Sequence, residues 1–297
     1  MRRVIMKTMK VSKGGTTLCA DILGAQINSF NVNGKEYIWQ RDTKYWGGSA
    51  PILFPIVGEL KGEGKTTKID GKAYNMRIHG FARDMEFVPE KISEDTMVFT
   101  LKYNKNTLKK YPYKFVLKVE YIVEEDGFTN RFYIENKSKG DMPFVIGAHP
   151  AFNLPMFDDS FEDYTIEFEL PETDEAYRID EDGLVDDGVS EKVFVDGNKI
   201  PLKETLFDTG ALIFQNVKSN TVKLYNKQNK GVKMDFADFD YFGIWKMPNL
   251  NSPYLCLEPW TGMNDCYSED GVYKNKRGIR FIEPKGTVCL EYKITLI

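Results

Sequence analysis

Histidine and cysteine are both scarce in this chain. Its 297 residues include two histidines, His79 and His149, and four cysteines without paired spacing. Four scattered cysteines do not make the framework of a disulfide-rich secreted domain or of a structural zinc site. They fit reduced thiols, and we therefore expect a cytoplasmic protein. The cysteines are Cys19, Cys256, Cys266 and Cys289.

The chain also lacks a long apolar run and an excess of charge of one sign. No stretch approaches the roughly 20 apolar residues of a membrane-spanning helix, and the N-terminus lacks the apolar core of a signal peptide. Forty basic and 44 acidic residues leave a net charge of −4. Nucleic-acid-binding proteins usually carry a basic excess or patch. We therefore expect neither a nucleic-acid nor a membrane partner.

Helical periodicity is scarce, whereas apolar and polar residues alternate with period two in many stretches. Residues 96–103 and 115–121 alternate in this way, which is typical of half-buried strands. Asp126-Gly127 lies between two such runs and predicts a hairpin, and residues 104–111 have room for a helical turn. We predict an all-β chain of antiparallel sheets, a sandwich or barrel, folded as one domain over residues 1–297.

One glycine-rich stretch, residues 58–67, resembles a phosphate-binding loop at first reading. A P-loop has four residues between its first glycine and its Gly-Lys-Thr, but here Gly58 and Gly64 enclose five. A P-loop also needs a helix directly after it, whereas a turn at residues 68–71 follows here. The sequence therefore predicts a glycine-rich hairpin loop.

Three ionisable residues stand out because each lies in or beside an apolar stretch. His149 ends a run of apolar residues and precedes Pro150, and Gly80 next to His79 allows a close approach of backbone or ligand. Glu258 lies within the apolar residues 254–260, where a carboxylate is costly unless it is paired or functional. Trp260 beside it fits either a core or a flat platform for a sugar ring.

A metal site is an alternative reading of the same residues. Two histidines and one carboxylate can form a facial triad for iron on a β scaffold. Such sites usually draw two ligands from one short stretch, but His79, His149 and Glu258 lie far apart in sequence. We therefore expect no metal.

Five stretches of the chain carry a further signal when they are taken in order, namely residues 51–58, 79–83, 149–153, 242–245 and 256–260. Together they resemble the aldose 1-epimerase (galactose mutarotase) family, and most closely its LacX-like branch. Each stretch alone is a weak signal, but five in the family's order are specific. The resemblance implies a galactose mutarotase-like β-supersandwich with an open cleft on one face. It also implies a sugar substrate and no metal or organic cofactor.

The resemblance also implies roles for individual residues. Glu258 corresponds to the general base and His149 to the general acid of a ring-opening reaction that interconverts sugar anomers. The remaining candidates are contacts of the substrate, namely His79, Arg83, Trp260 and Asp208. For Asp208, a structural role in a turn is an equally good explanation.

The chain departs from the family pattern after its Phe-Pro-x-x-Gly motif. An arginine that reaches the substrate usually follows the motif, and here the position is Glu59, with Lys61 and Arg83 as the nearest replacements. The departure puts the identity of the substrate in question, and two alternatives to a mutarotase of free hexoses stay open. One is a hexose-6-phosphate 1-epimerase. The other is a carbohydrate-binding or sensing protein with little turnover.

Overall fold

The computed structural model describes residues 7–173 and 175–297, and most of their regular structure is β-strand, which confirms the all-β prediction. The strands of this part are β1 (Thr8–Lys13), β2 (Thr16–Asp21), β3 (Ile27–Val32), β4 (Lys35–Glu36), β5 (Ile52–Leu53), β6 (Thr66–Ile69), β7 (Lys72–Asn75), β8 (Val88–Lys91), β9 (Thr96–Lys102), β10 (Phe115–Val123), β11 (Gly127–Asn136), β12 (Met142–Phe144), β13 (Gly147–Ala148), β14 (Ala151–Asn153), β15 (Tyr164–Phe168), β16 (Glu175–Ala176), β17 (Glu191–Lys192), β18 (Lys199–Pro201), β19 (Leu212–Gln215), β20 (Thr221–Asn226), β21 (Gly231–Asp235), β22 (Tyr241–Trp245), β23 (Tyr254–Trp260), β24 (Arg280–Ile282) and β25 (Thr287–Leu296). The 3-10 helices are Ala82–Asp84, Thr107–Lys109, Phe161–Asp163, Glu204–Phe207 and Tyr273–Asn275. In these described residues, no helix is long and apolar enough to cross a membrane.

A nine-stranded antiparallel sheet forms the largest layer, in the order β18-β15-β20-β21-β25-β11-β10-β9-β8. The hairpin predicted at Asp126-Gly127 is confirmed, because β10 and β11 pair in register from Phe115 opposite Asn136 to Val123 opposite Phe128. The alternation also holds in β9, whose second, fourth and sixth residues are buried.

The second large sheet carries the candidate site. Its order is β19-β22-β23-β13-β5, and β14 also pairs with β23. Strand β23 is buried along its whole length because it has neighbours on both edges and packing on both faces. Leu255 and Leu257 point into the main apolar core, whereas Trp260 belongs to a smaller apolar cluster on the other face. One face of β23 thus anchors the sheet, and the other is available for a site.

The stretch around His149 is less regular than the extended run that its sequence predicts. It is divided into β12, β13 and β14, and His149 lies between the last two. The backbone N–H of Val145 donates to the carbonyl of Pro55, and that of Ile146 donates to the hydroxyl of Thr261. These bonds replace a continuous ladder and let the chain change direction before His149.

The glycine-rich stretch after Gly58 leads directly into the strand pair β6–β7, where a P-loop would lead into a helix. The prediction of a hairpin loop in place of a phosphate-binding loop is confirmed.

The single-domain organisation stays a prediction, and the strand order supplies its physical basis. Strand β25 pairs with β21 on one side and with β11 on the other, so the large sheet joins distant parts of the chain. We expect one cooperative thermal transition, with coincident midpoints by far-ultraviolet circular dichroism and by tryptophan fluorescence. Two well-separated transitions would show two independently folding units.

Candidate active site

A cavity of about 310 Å³ opens on the face of the second sheet that carries Glu258. It brings together five of the residues predicted from sequence, namely His79, Arg83, His149, Glu258 and Trp260. Aromatic and aliphatic side chains form most of the remaining wall. These further lining residues are Trp46, Ile78, Ile179, Ala211, Ile213, Trp245, Met247 and Asn264.

His149 and Glu258 form the centre of the cavity. Pro150 accepts a backbone hydrogen bond from Leu257, so the chain after His149 lies directly beside the strand that carries Glu258. His149 Nε2 lies 3.2 Å from Glu258 Oε2, and the two side chains are 8% and 2% exposed. The two groups are not aligned for a hydrogen bond. Glu258 Oε2 therefore has no hydrogen-bond partner among the described residues.

Burial determines the protonation of this pair. It raises the pKa of the Glu258 carboxyl well above its usual value. Burial likewise lowers the pKa of His149, and the positive charge of Arg83 lowers it further. A buried acid and a buried base that are both driven towards neutrality hold one proton between them. The ligand-free site therefore favours a protonated Glu258 next to a neutral His149.

Three aromatic rings hold the imidazole of His149 in place. The indole of Trp46 stacks on it with centroids 5.0 Å apart, and Trp245 meets it edge-on at 5.6 Å. His79 makes a second edge-on contact at 5.8 Å. Packing on several sides restricts the ring to the orientation that faces Glu258.

His79 is held in one tautomer by the glycine that precedes Glu59. The backbone N–H of Gly58 donates to His79 Nδ1 at 3.0 Å, and the N–H of His79 donates back to the Gly58 carbonyl at 2.9 Å. Because Nδ1 accepts, the neutral ring carries its proton on Nε2. Burial, followed by the charges of His149 and Arg83, lowers the pKa of His79 well below its usual value. His79 thus offers the cavity a neutral N–H donor.

Arg83 supplies a positive charge to the wall. Its Nη2 donates to the carbonyl of Ile78 at 2.9 Å, whereas its buried Nε has no hydrogen-bond partner among the described residues. Burial lowers the pKa of Arg83, and the neighbouring Arg77 adds to this effect. The guanidinium retains an unused donor at the cavity.

Trp260 lies flat across the sheet because the two strands beside it carry glycines. An added Cβ on Gly147 would lie 2.5 Å from the indole, and one on Gly243 would lie 2.4 Å from it. The indole lies close enough to Glu258 to offset part of the rise in the carboxyl pKa, but its N–H does not form a hydrogen bond of standard geometry. The indole thus forms a flat floor of the cavity.

Unpartnered polar atoms concentrate at this cavity. In the described chain, six buried side-chain nitrogen or oxygen atoms lack a hydrogen-bond partner, and four of them belong to cavity residues. Buried polar groups are nearly always satisfied in folded proteins, so an unsatisfied group needs an explanation. A polar ligand in the cavity would supply the partners. The four atoms are Arg83 Nε, His149 Nδ1, Glu258 Oε2 and Trp260 Nε1.

Three residues considered from sequence lie outside the cavity lining. Asp208 is exposed at the end of a 3-10 helix, where its backbone carbonyl accepts a hydrogen bond from Asn249. The carboxylate of Glu59 accepts from the N–H of Leu60, next to it in the chain. The ammonium of Lys61 donates to two backbone carbonyls, so it is not free to replace an arginine at the substrate. Arg83 is the one of the two suggested replacements that reaches the cavity.

Sequence reasoning missed Trp46 and Asn264. Trp46 folds over Gly48, whose added Cβ would lie 2.5 Å from the indole, so a tryptophan beside two glycines was a usable signal. Asn264 packs against Gly58 and donates to the carbonyl of Gly183 at 2.7 Å. Nothing in its local sequence marks it, because its partners come from distant segments.

One group of ligand-type side chains lies at the same place. The ligand atoms of His149, Cys256 and Glu258 lie within 4.8 Å of one another, and all three residues are buried. Burial also raises the pKa of the Cys256 thiol well above its usual value. His79 is not a member of the group, which therefore differs from the facial triad of two histidines and Glu258 considered from sequence.

Gly243→Ala tests the packing of Trp260. We expect it to displace the indole and to lower the free energy of unfolding by about 1–3 kcal/mol, as overpacking of a core does. Tryptophan fluorescence and denaturant unfolding measure the two effects. Gly140→Ala is the matched control, since an added Cβ there meets nothing within 4 Å. If the two variants had the same tryptophan fluorescence and the same free energy of unfolding, the described packing of Trp260 would be contradicted.

Glu258→Gln tests the buried carboxyl. A raised folded-state pKa gives stability that is present below the unfolded pKa and declines as pH rises towards the folded value. Glutamine has the same shape but does not ionise. We therefore expect the variant to exceed the wild type by about 0.5–2 kcal/mol near neutral pH. The gain should shrink near pH 4, about the ordinary glutamate pKa.

Thermal unfolding at the two pH values measures this difference. The control is Glu90→Gln at an exposed position of edge strand β8, where no gain is expected. A melting temperature of Glu258→Gln that equals the wild-type value at both pH values would mean that the carboxyl is not buried as described.

Comparison with known proteins agrees with this geometry. The chain is 33% identical to the chromosomal protein LacX of Lactococcus lactis subsp. lactis, covering 98% of this chain and 99% of the relative.

Two solved structures are also similar. One is a galactose mutarotase related enzyme from Lactobacillus acidophilus, with a TM-score of 0.89, 29% identity and coverage of 98% and 97% of the two chains. The other is a galactose mutarotase-like protein from Lactobacillus casei ATCC 334, with a TM-score of 0.90, 28% identity and coverage of 98% and 100%. The galactose mutarotase-like fold implied by the resemblance is therefore confirmed. Since the family model described as aldose 1-epimerase matches residues 8–271, the chain belongs to the aldose 1-epimerase family.

Proposed function

We propose that this protein is an aldose 1-epimerase that interconverts the α and β anomers of a hexose or a related aldose. The observation that carries the proposal is the buried contact of 3.2 Å between His149 and Glu258 at the centre of the cavity. Anomer exchange needs one group that takes a proton and one that gives a proton on the same sugar. This pair contains both, and it is out of bulk water.

The proposed reaction begins with the proton that Glu258 and His149 share. Transfer from Glu258 to His149 across the short contact gives a carboxylate and an imidazolium. The carboxylate then takes the proton of the C1 hydroxyl as the imidazolium protonates the ring oxygen, and the C1–O5 bond opens to the aldehyde. Rotation about C1–C2 and the reverse transfers close the other anomer. Ring opening returns the pair to its neutral form, which burial favours.

The other polar groups of the cavity are suited to hold the sugar. The Nε2–H of His79 and the free Nε–H of Arg83 are donors for sugar oxygens. The indole of Trp260 offers a flat apolar surface for the C–H groups of a pyranose, and Trp46 and Trp245 wall the same space. We propose that these contacts fix the ring so that C1 and the ring oxygen face the His149–Glu258 pair.

Among the possible substrates, an unphosphorylated aldose fits the charges best. Among the described residues, Arg83 is the one lysine or arginine in the lining of the cavity, and Lys61 is bound to backbone carbonyls elsewhere. A phosphate group is usually held by several charge-assisted donors. Hexose 6-phosphates are the second candidate because Arg83 has an unused donor. We also propose a cytoplasmic location, which the four free thiols support.

The decisive experiment measures mutarotation. Freshly dissolved hexoses and their 6-phosphates are followed by polarimetry, and we expect at least one free aldose to equilibrate faster with the protein than without it. Glu258→Gln and His149→Ala should each lower turnover by about 100-fold or more, since general acid–base groups are typically worth that factor. Circular dichroism verifies that both variants are folded.

The exposed-site variant Glu90→Gln is the control and should retain wild-type turnover. Buffer-level rates on every sugar, together with sugar binding by calorimetry, would favour a carbohydrate-binding protein. A preference for the 6-phosphates that Arg83→Lys abolishes would establish the phosphorylated substrate class instead.

A further inference from the structure

Cys256 lies beside the proposed catalytic pair, but the proton transfers above do not use it. It precedes Glu258 by two residues in β23, so the two side chains project from the same face of the strand. The thiol is fully buried in an aromatic cluster with Trp39 and Tyr254, where Trp46 and Trp245 pack over it. A small apolar side chain would fill such a position equally well. A thiol, an imidazole and a carboxyl group are all metal ligands, and here the three lie next to one another.

The geometry of the three side chains approaches that of a tetrahedral zinc site. Zinc binds nitrogen, oxygen and sulfur at about 2.0–2.3 Å, which places neighbouring ligand atoms about 3.3–3.8 Å apart. His149 Nε2 and Glu258 Oε2 already lie 3.2 Å apart, and all three ligand atoms fall within 4.8 Å. A side-chain adjustment of about 1 Å brings the sulfur to the same centre.

The unpartnered carboxyl oxygen of Glu258 provides a second, independent observation. Glu258 Oε2 is buried without a hydrogen-bond partner in the described chain, and His149 is buried beside it. The side chains of these residues are 2% and 8% exposed. A metal ion would bind lone pairs that are otherwise unused. The mixed set of imidazole, thiolate and carboxylate suits zinc, whereas magnesium and calcium prefer oxygen ligands alone.

We propose that His149, Cys256 and Glu258 form an inhibitory zinc site at the wall of the cavity. Zinc binding displaces two protons to solvent, one from the Cys256 thiol and one from the Glu258 carboxyl, and it occupies the lone pairs that the proton transfers require. The fourth coordination position faces the open cavity. The same three side chains thus have two exclusive states, one that transfers protons and one that holds zinc. The inhibition rests on the proposed function, but zinc binding does not.

Cobalt substitution tests the site without any activity measurement. Chelator-treated protein is titrated with Co²⁺, and thiolate-bound cobalt is detected by its ligand-to-metal charge-transfer absorption. We expect one equivalent to produce the band and zinc to displace it. Cys256→Ser and Cys256→Ala should both lack the band. Cys289→Ser, which alters an exposed thiol, is the control and should keep it.

The activity test compares zinc inhibition of each protein with its own zinc-free rate. Wild type and Cys289→Ser should be inhibited reversibly, with full recovery on addition of EDTA. Both Cys256 variants should need about tenfold more zinc or more for half inhibition, because loss of a ligand weakens the site.

Each other outcome has a definite meaning. A cobalt band that is absent from wild type, or that persists in both Cys256 variants, overturns the site. Loss of turnover in EDTA with recovery on zinc would make zinc a cofactor and overturn the inhibition. If no aldose is turned over, the proposed function fails while the cobalt titration still decides whether the metal site exists.

Discussion

The structure of the site depends on keeping the carboxyl of Glu258 out of water. An isolated buried carboxylate carries a large desolvation cost, so the group must be protonated or directly paired. Protonation meets this requirement, because burial drives both Glu258 and His149, whose Oε2 and Nε2 lie 3.2 Å apart, towards their neutral forms. A pair that shares one proton and changes charge at short range is suited to a reaction that takes one proton and gives another.

The sheet around the pair is built to hold it rigidly. Strand β23 is buried throughout and has hydrogen-bonded neighbours on both edges, so Glu258 has little freedom. The glycines Gly147 and Gly243 remove the side chains that would lift Trp260 from the sheet. His79 adopts a positive φ of 65°, and its reciprocal hydrogen bonds with Gly58 fix both its backbone and its tautomer. Rigid elements place reacting groups more reliably than loops do.

The buried polar atoms without hydrogen-bond partners indicate which kind of ligand the cavity would bind. Arg83 Nε, Trp260 Nε1, His149 Nδ1 and Glu258 Oε2 all belong to residues of the cavity wall. Such atoms reduce the stability of the ligand-free protein and gain partners when a polyhydroxylated molecule enters. A sugar brings both polar oxygens and apolar C–H faces, which matches a wall of this mixed character.

The class of fold and most of the candidate site residues could be predicted from the amino-acid sequence. Alternation with period two predicts strands because burial on one face of a strand is a local pattern, and the hairpin at Asp126-Gly127 follows from turn residues. Five ordered stretches identified His149, Glu258, His79, Arg83 and Trp260, and the structure brings these residues to one cavity.

The remaining features of the site could not be predicted from the sequence, because they depend on contacts between distant segments of the chain. The irregular course of the chain before His149 is fixed by hydrogen bonds to Pro55 and Thr261, and Trp46 reaches His149 from another part of the sequence. The exposed position of Asp208 and the neutral state of the buried pair likewise follow from packing and desolvation. Such effects depend on which atoms surround a residue after folding, and the order of residues along the chain does not display them.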